Sequence, residues 1–217
     1  MKDVFLHMGL HKTGTTSFQN FLLERKCLLH SKKIDFYDGA YIPENHVELA
    51  LSVLRENLDA PIKTKIAFPS REQLFEETRI RIDGFIRDST CDKVVFSNET
   101  LSFIRYEDEI FRLQSLFPPD CRLIPVVCLR NKADWMASFM SQMARMGVEE
   151  NNRPDSCGFF APSGWLLDHE RLINLLKANF EKVLLVDYRE KIIGHLLEVM
   201  GIDVTDFSER YDNVSPR

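Results

Sequence analysis

The stretch Val4-Phe5-Leu6-His7-Met8-Gly9-Leu10-His11-Lys12-Thr13-Gly14-Thr15-Thr16 decides the fold of this chain. Val4–Met8 is a short apolar run that ends at a glycine, so it predicts a buried first strand. From Thr15 to about Leu29 the apolar residues repeat at helical spacing, which predicts a helix. A loop with two glycines therefore joins a strand directly to a helix, and the helix N-terminus it creates can attract an anion.

Strands and helices alternate along the rest of the chain, which favours an α/β fold. The other predicted strands are Ile34–Tyr37, Lys93–Phe96, Leu123–Leu129 and Val183–Val186. The other predicted helices are His46–Leu58, Arg71–Arg87, Asp108–Leu116, Asp134–Met146, Trp165–Phe180 and Lys191–Met200. We expect a three-layer sandwich, with a mainly parallel central sheet and helices on both faces, that forms one domain over residues 1–217.

Composition excludes several classes of protein. Hydrophobic residues make up 44% and charged residues 28%, as in ordinary globular proteins. The formal net charge of −5 argues against a nucleic-acid-binding surface, whereas the lysine-rich first 33 residues suit a local anionic ligand. The five cysteines lack zinc-site spacing, and no apolar run approaches the roughly 20 residues of a membrane span. With no secretory segment in the sequence, we expect a cytoplasmic protein without a membrane span.

The loop Gly9–Thr16 has the chemistry of a phosphate cradle. Its glycines let the backbone approach a phosphate closely, and its threonines add hydroxyl donors. Compared with the nucleotide-binding pattern G-x-x-x-x-G-K-[ST], both glycines match, but Thr15 stands at the lysine position. The lysine is instead Lys12, inside the loop. We expect it to reach the bridging oxygen between two anionic groups rather than a phosphate beside magnesium.

Residues 9–17, Gly-Leu-His-Lys-Thr-Gly-Thr-Thr-Ser, resemble the 5′-phosphosulfate-binding loop of sulfotransferases, especially bacterial ones. The resemblance implies a P-loop-like fold and the donor 3′-phosphoadenosine 5′-phosphosulfate (PAPS), with adenosine 3′,5′-bisphosphate as product. It also implies that Lys12 assists departure of the leaving group and that no metal ion is needed. The residues it places on the donor are Lys12, Thr13, Gly14, Thr15, Thr16 and Ser17.

A second segment, Val126 to Ser138, resembles the 3′-phosphate site of the same family. A predicted strand ends at Arg130, and the following helix brings Ser138 back about two turns later. Arg130 can form a bidentate contact with a phosphate, and Ser138 can add a neutral donor. Asn213 and Ser215 resemble an Asn-x-Ser near the end of many bacterial members, and their contact with the donor stays open. Three aromatic residues are candidates for stacking on adenine: Trp135, Phe139 and Trp165.

Glu99 and His11 are the two candidates for the general base. The strand Lys93–Phe96 leads to Glu99, which we expect beside the mouth of the loop. Some sulfotransferases use a glutamate, whereas the cytosolic animal enzymes use a histidine at a comparable strand end. His11 lies within the loop, where a ring hydrogen bond would give it a structural role instead. We prefer Glu99 as the base.

Two other functions remain open from the sequence. A P-loop kinase would use ATP and magnesium, although the Gly-Lys-Thr of that class is missing. A non-catalytic module would bind adenosine bisphosphate without needing a base. If the chain is a sulfotransferase, its acceptor is a hydroxyl or amine of a glycan or small metabolite. Residues 40–90 resemble nothing in the family and are expected to contribute to acceptor binding.

Overall fold

The computed structural model describes residues 1–154, 156–189 and 191–203. Its five strands are β1 (Lys2–His7), β2 (Ile34–Phe36), β3 (Lys93–Ser97), β4 (Cys121–Leu129) and β5 (Leu184–Asp187). They form one sheet in the order β2-β3-β1-β4-β5, and every neighbouring pair is parallel. β1 therefore lies at the centre, flanked by β3 and β4.

Helices cover both faces of the sheet. They are α1 (Thr15–Glu24), α2 (Lys26–Ser31), α3 (Val47–Val53), α4 (Arg71–Asp88), α5 (Glu107–Ser115), α6 (Lys132–Arg145), α7 (His169–Asn179) and α8 (Ile192–Val199). Short 3-10 helices occur at Pro61–Thr64, Glu99–Phe103 and Trp165–Leu167. Within the described part of the chain, no helix is both long enough and apolar enough to cross a bilayer.

The three layers form because successive side chains of each strand point to opposite faces of the sheet. Val4 and Leu6 of β1 pack in a core beneath α3 to α7, whereas Phe5 between them packs in a second core with α1, α2 and α8. A parallel sheet covered on both faces needs such apolar strands throughout. The predicted three-layer α/β fold with helices on both faces is confirmed, and within the described residues the sheet is entirely parallel.

Three predicted helices are shorter than expected. The helix predicted from Thr15 to Leu29 is divided at Arg25, because charged residues occupy the next position of its buried stripe. The helix predicted at His46–Leu58 covers only Val47–Val53, where all seven residues are buried and no amphipathic pattern exists. In the third, predicted at Trp165–Phe180, Asp168 accepts a hydrogen bond from the Arg171 amide at 3.1 Å, and α7 begins there.

Candidate active site

A polar cleft lies where the carboxyl ends of the central strands meet. Parallel strands point their carboxyl ends to one edge, so the segments after β1, β3 and β4 converge there. The cleft has a volume of about 390 Å³. Its lining residues are His11, Lys12, Gly14, Thr15, Thr16, Ser17, Glu99, Arg130, Ser138, Gln142 and Tyr188. Two segments more than 100 residues apart in sequence thus line one cleft.

The N-terminus of α1 opens onto this cleft without a side-chain cap. Gly14 precedes the helix in the left-handed conformation, with φ of 79°, and no side chain in the described part of the chain caps the first turn. The first amides of a helix have no intrahelical partner, and the helix dipole makes this end positive. Thr15, Thr16 and Ser17 are the first three residues of α1 and line the cleft. An anionic group can bind here through backbone N–H donors.

Lys12 has a strained backbone conformation and is bonded by Arg130, the residue that follows β4. Its φ is 67°, in the left-handed region that non-glycine residues adopt at a cost of order 1 kcal/mol. Arg130 Nη1 donates a hydrogen bond to the Lys12 carbonyl at 3.0 Å. The Arg130 guanidinium also lies over the Tyr188 ring, 5.0 Å from its centroid. Arg130 therefore orders the loop while its other N–H groups stay available for an anion.

Thr13 differs from the other loop residues proposed to contact the donor. Its side chain is fully buried, and its hydroxyl donates a hydrogen bond to the Leu10 carbonyl at 2.6 Å. A Cβ added at Gly9 would lie 3.0 Å from the Thr13 Oγ1, so the loop packs tightly against this hydroxyl. The Thr13 side chain thus stabilises the loop, and only its backbone amide is left for a ligand.

Glu99 follows β3 and begins a 3-10 helix beside the loop. Its Oε2 accepts hydrogen bonds from Gln19 Nε2 and Asn45 Nδ2, both at 3.1 Å. No described residue donates a hydrogen bond to its Oε1. The two amides fix the carboxylate on one side and leave the other oxygen free. Sequence analysis missed Gln19 and Asn45, and only Gln19 left a signal, as a polar residue within the buried stripe of α1.

His11 packs against two aromatic rings. The ring centroids of Phe103 and Phe139 lie 5.0 Å and 5.4 Å from its own. Burial lowers the pKa of His11, the charge of Glu99 opposes this, and the charge of Lys12 lowers the pKa further. Its Nε2 is buried and has no hydrogen-bond partner among the described residues. That nitrogen is therefore available to a ligand.

The aromatic candidates for adenine stacking lie mainly in the core. Trp135 and Phe139 stack on each other with centroids 4.9 Å apart, and neither lines the cleft. Trp165 packs against Phe103 in the same region. The aromatic residue that does line the cleft is Tyr188, just after β5. Neither Tyr188 nor Gln142 was singled out from the sequence, since no motif surrounds them.

Two predicted donor contacts lie outside the described part of the chain, and the group with metal-ligand geometry lies far from the cleft. Asn213 and Ser215 lie outside the described residues. Among the described residues, the group with metal-ligand geometry is His30, Asp35 and Cys91, near the starts of β2 and β3. The cleft lies at the opposite ends of the strands and, within the described residues, has Glu99 as its carboxylate.

Comparison with known proteins places this fold among sulfotransferase structures. No protein-family model matches the chain, and no curated protein matches it by sequence. A sulfotransferase from Alicyclobacillus acidocaldarius superposes with a TM-score of 0.58 at 13% identity, over 98% of this chain and 87% of that one. The sulfotransferase domain from the curacin biosynthetic pathway gives 0.51 at 12% identity, over 97% and 80%. At such identity the likeness establishes the fold.

Proposed function

We propose that this protein is a PAPS-dependent sulfotransferase that transfers a sulfuryl group to an acceptor hydroxyl. One observation supports this proposal best. The uncapped N-terminus of α1 and the side chains of Lys12, Arg130 and Glu99 all line the same cleft. These are the groups that the reaction requires: donors for two phosphates, a cation near the leaving group and a base.

The residues of the cleft fit a donor with two separate phosphate positions. The amides at the start of α1 suit the 5′-phosphosulfate, because they are uncapped and belong to a positive helix end. Arg130 and Ser138 line the same cleft and suit the 3′-phosphate. A nucleotide with a single phosphate position would leave Arg130 and Ser138 without a ligand.

The donor supplies an activated sulfuryl group when it is bound. Glu99 would accept the acceptor's hydroxyl proton at Oε1, while Gln19 and Asn45 hold Oε2. The new sulfur–oxygen bond then forms to the acceptor oxygen as the bond to the bridging oxygen breaks. Lys12 would stabilise the negative charge that the bridging oxygen gains. His11 is the alternative base, since its Nε2 has no partner among the described residues and burial favours its neutral form.

The first experiment measures thermal stabilisation by adenosine 3′,5′-bisphosphate, adenosine 5′-monophosphate and ATP with magnesium. A ligand selective for the folded protein raises the melting temperature by mass action. We expect the bisphosphate to stabilise most, because it alone engages Arg130 and Ser138. Equal stabilisation by the monophosphate would contradict the 3′-phosphate site.

The second experiment separates the alternatives by turnover. Transfer of labelled sulfuryl from PAPS to a pool of acceptors should proceed equally in excess EDTA and in magnesium. Transfer of labelled phosphoryl from ATP that EDTA abolishes and magnesium restores, without transfer from PAPS, would favour the kinase. Binding of the bisphosphate without any transfer would favour the non-catalytic module.

A further inference from the structure

A second, smaller pocket adjoins the polar cleft through a shared wall. It has a volume of about 100 Å³. Both cavities are lined by His11, Glu99 and Gln142. The rest of the pocket lining is Ile42, Asn45, Val47, Ala60, Pro61, Ile62, Asn98, Thr100, Phe103, Met143, Met146 and Cys157. A molecule bound in this pocket therefore lies directly beside both candidates for the base.

Apolar side chains make up most of the pocket lining. The side-chain amide of Asn45 donates to Glu99 and accepts from Asn98, so these three polar groups form one cluster around the carboxylate. The remaining lining residues are aliphatic, aromatic or sulfur-containing, apart from three further polar ones, His11, Thr100 and Gln142. No lysine or arginine of the described residues lines it. The pocket can therefore pair with few hydroxyls and has no such cation to neutralise an anion.

The outer part of the pocket is closed by two segments that contact each other. Asp59 and Ser156 form an isolated parallel bridge between them. Arg153 Nη2 also lies 2.5 Å from Asp59 Oδ2. Ala60 and Cys157 directly follow the bridged residues, and both are almost fully buried. The bridge therefore holds two parts of the pocket wall together.

We propose that this pocket binds the acceptor, and that the acceptor is a compact, uncharged alcohol with a mainly apolar skeleton. The inference rests on the proposed sulfotransferase function. Cavities of about 150 Å³ lined by apolar side chains bind benzene, so this smaller pocket, which adjoins an open cleft, suits at most one ring or a short branched chain. A glycan would place several hydroxyls against apolar walls and lose their hydrogen bonds to water. The expected acceptors are thereby narrowed to small apolar metabolites.

The test compares acceptors and fills the pocket. With labelled PAPS, we expect cyclohexanol, phenol and 2-methylpropanol to be sulfated with a kcat/KM at least tenfold above that of sucrose, maltotriose or glyceric acid. Ala60→Phe places a ring inside the pocket and should lower kcat/KM for the alcohols by about tenfold or more. The matched control is Ala178→Phe, on the exposed side of α7 and outside the lining, which should leave kcat/KM unchanged.

A second variant covers the case in which Ala60→Phe does not fold. Ile62 is only partly buried, so Ile62→Ala should fold and widen the pocket. We expect this variant to shift the kcat/KM ratio of 4-tert-butylcyclohexanol to cyclohexanol upward by about tenfold. An unchanged ratio would show that the pocket does not contact the acceptor.

Binding of adenosine 3′,5′-bisphosphate distinguishes the two levels of the proposal. If all variants bind the bisphosphate but sucrose or maltotriose is the better acceptor, the apolar acceptor is wrong and the sulfotransferase function stands. If the parent protein shows no selective binding of the bisphosphate, the proposed function fails and the acceptor inference fails with it.

Discussion

The two cavities on either side of Glu99 and His11 differ in every property that matters for binding. The larger cleft, of about 390 Å³, presents a helix N-terminus, Lys12 and Arg130 to an anion. The smaller pocket, of about 100 Å³, has mostly apolar walls and no cation among its described residues. One cavity can thus select a ligand by charge, and the other by shape and water exclusion.

On the proposed function, the reacting atoms would meet at the wall that the two cavities share. Electrostatic groups act more strongly where water is excluded, so a base next to an apolar pocket and a cation next to an anion site complement each other. Hydrogen bonds among buried residues also fix the position of this wall. Ser97 Oγ lies 2.8 Å from His7 Nδ1 and 3.2 Å from Gln19 Nε2, and the Ser97 amide donates to His46 Nδ1 at 3.0 Å.

The largest effect is expected from Glu99→Gln, at the wall itself. Loss of a general base costs about 10²–10⁴ in rate, so kcat should fall on that scale while bisphosphate affinity holds. The new side-chain oxygen can still accept from Gln19 and Asn45, so the wall should stay ordered. Glu170→Gln, on the exposed side of α7, is the control. If Glu99→Gln keeps near-normal turnover and His11→Asn loses it at intact bisphosphate affinity, the two roles must be exchanged.

Lys12→Ala tests the charged side of the comparison. Its charge should matter more in the transition state than in the ground state, so we expect kcat to fall by about 10²–10³. Lys33→Ala is a matched control, because Lys33 also has a positive φ, of 62°, and does not line the cleft. Steady-state kinetics decide: a raised KM with unchanged kcat would mean that Lys12 only binds.

Arg130→Ala should mainly reduce the preference of the cleft for the bisphosphate over the monophosphate. Hydrogen bonds to charged groups contribute about 1.5–3 kcal/mol, so the preference for the bisphosphate over the monophosphate should fall by about 10- to 100-fold. Calorimetric titration of both ligands measures it, with Arg145→Ala at the far end of α6 as the control. Ser138→Ala should lose a smaller part of the same preference without disturbing the Lys12 carbonyl. A preference that survives Arg130→Ala would contradict the 3′-phosphate site.

The smallest effect concerns stability and the buried histidines behind the wall. Burial lowers the pKa of His7 and of His46 to about 3 from an ordinary 6.5. The unfolded chain therefore binds more protons below about pH 6.5, and the free energy of unfolding should fall as the pH drops from there toward 3. Each histidine contributes a slope of about 1.4 kcal/mol per pH unit.

Urea denaturation at several pH values measures this slope. His46→Asn should lower this slope by about 1.4 kcal/mol per pH unit, because the variant has one titrating group fewer. Val53→Ala removes buried volume from α3, the helix that follows His46, without removing a titratable group. This variant should lower the free energy of unfolding at every pH and leave the slope unchanged. A slope that His46→Asn does not change would contradict a neutral His46 in the folded protein.

The charged cleft could largely be predicted from the sequence, whereas the apolar pocket could not. Lys12, Glu99 and Arg130 each follow an apolar run, and parallel strands bring their carboxyl ends to one edge. Ile42 and Cys157 look like ordinary core residues, and only tertiary packing makes them neighbours in one lining. The burial of the Thr13 hydroxyl could not be predicted either. A motif specifies residue types, but it does not specify which hydroxyl points into the protein.

The central position of β1 has a consequence for biosynthesis. Val4 pairs with Val94 on one side and with Leu123 on the other, so the first strand made must wait for two strands that are far away in the chain. Closing such long loops is entropically costly and makes folding slow. A ribosome-bound chain that has not yet reached β4 exposes an apolar edge of β1 and has no Arg130 to order the loop. Such a chain is the form that a chaperone would bind, and the polar cleft is complete only after β4 has docked.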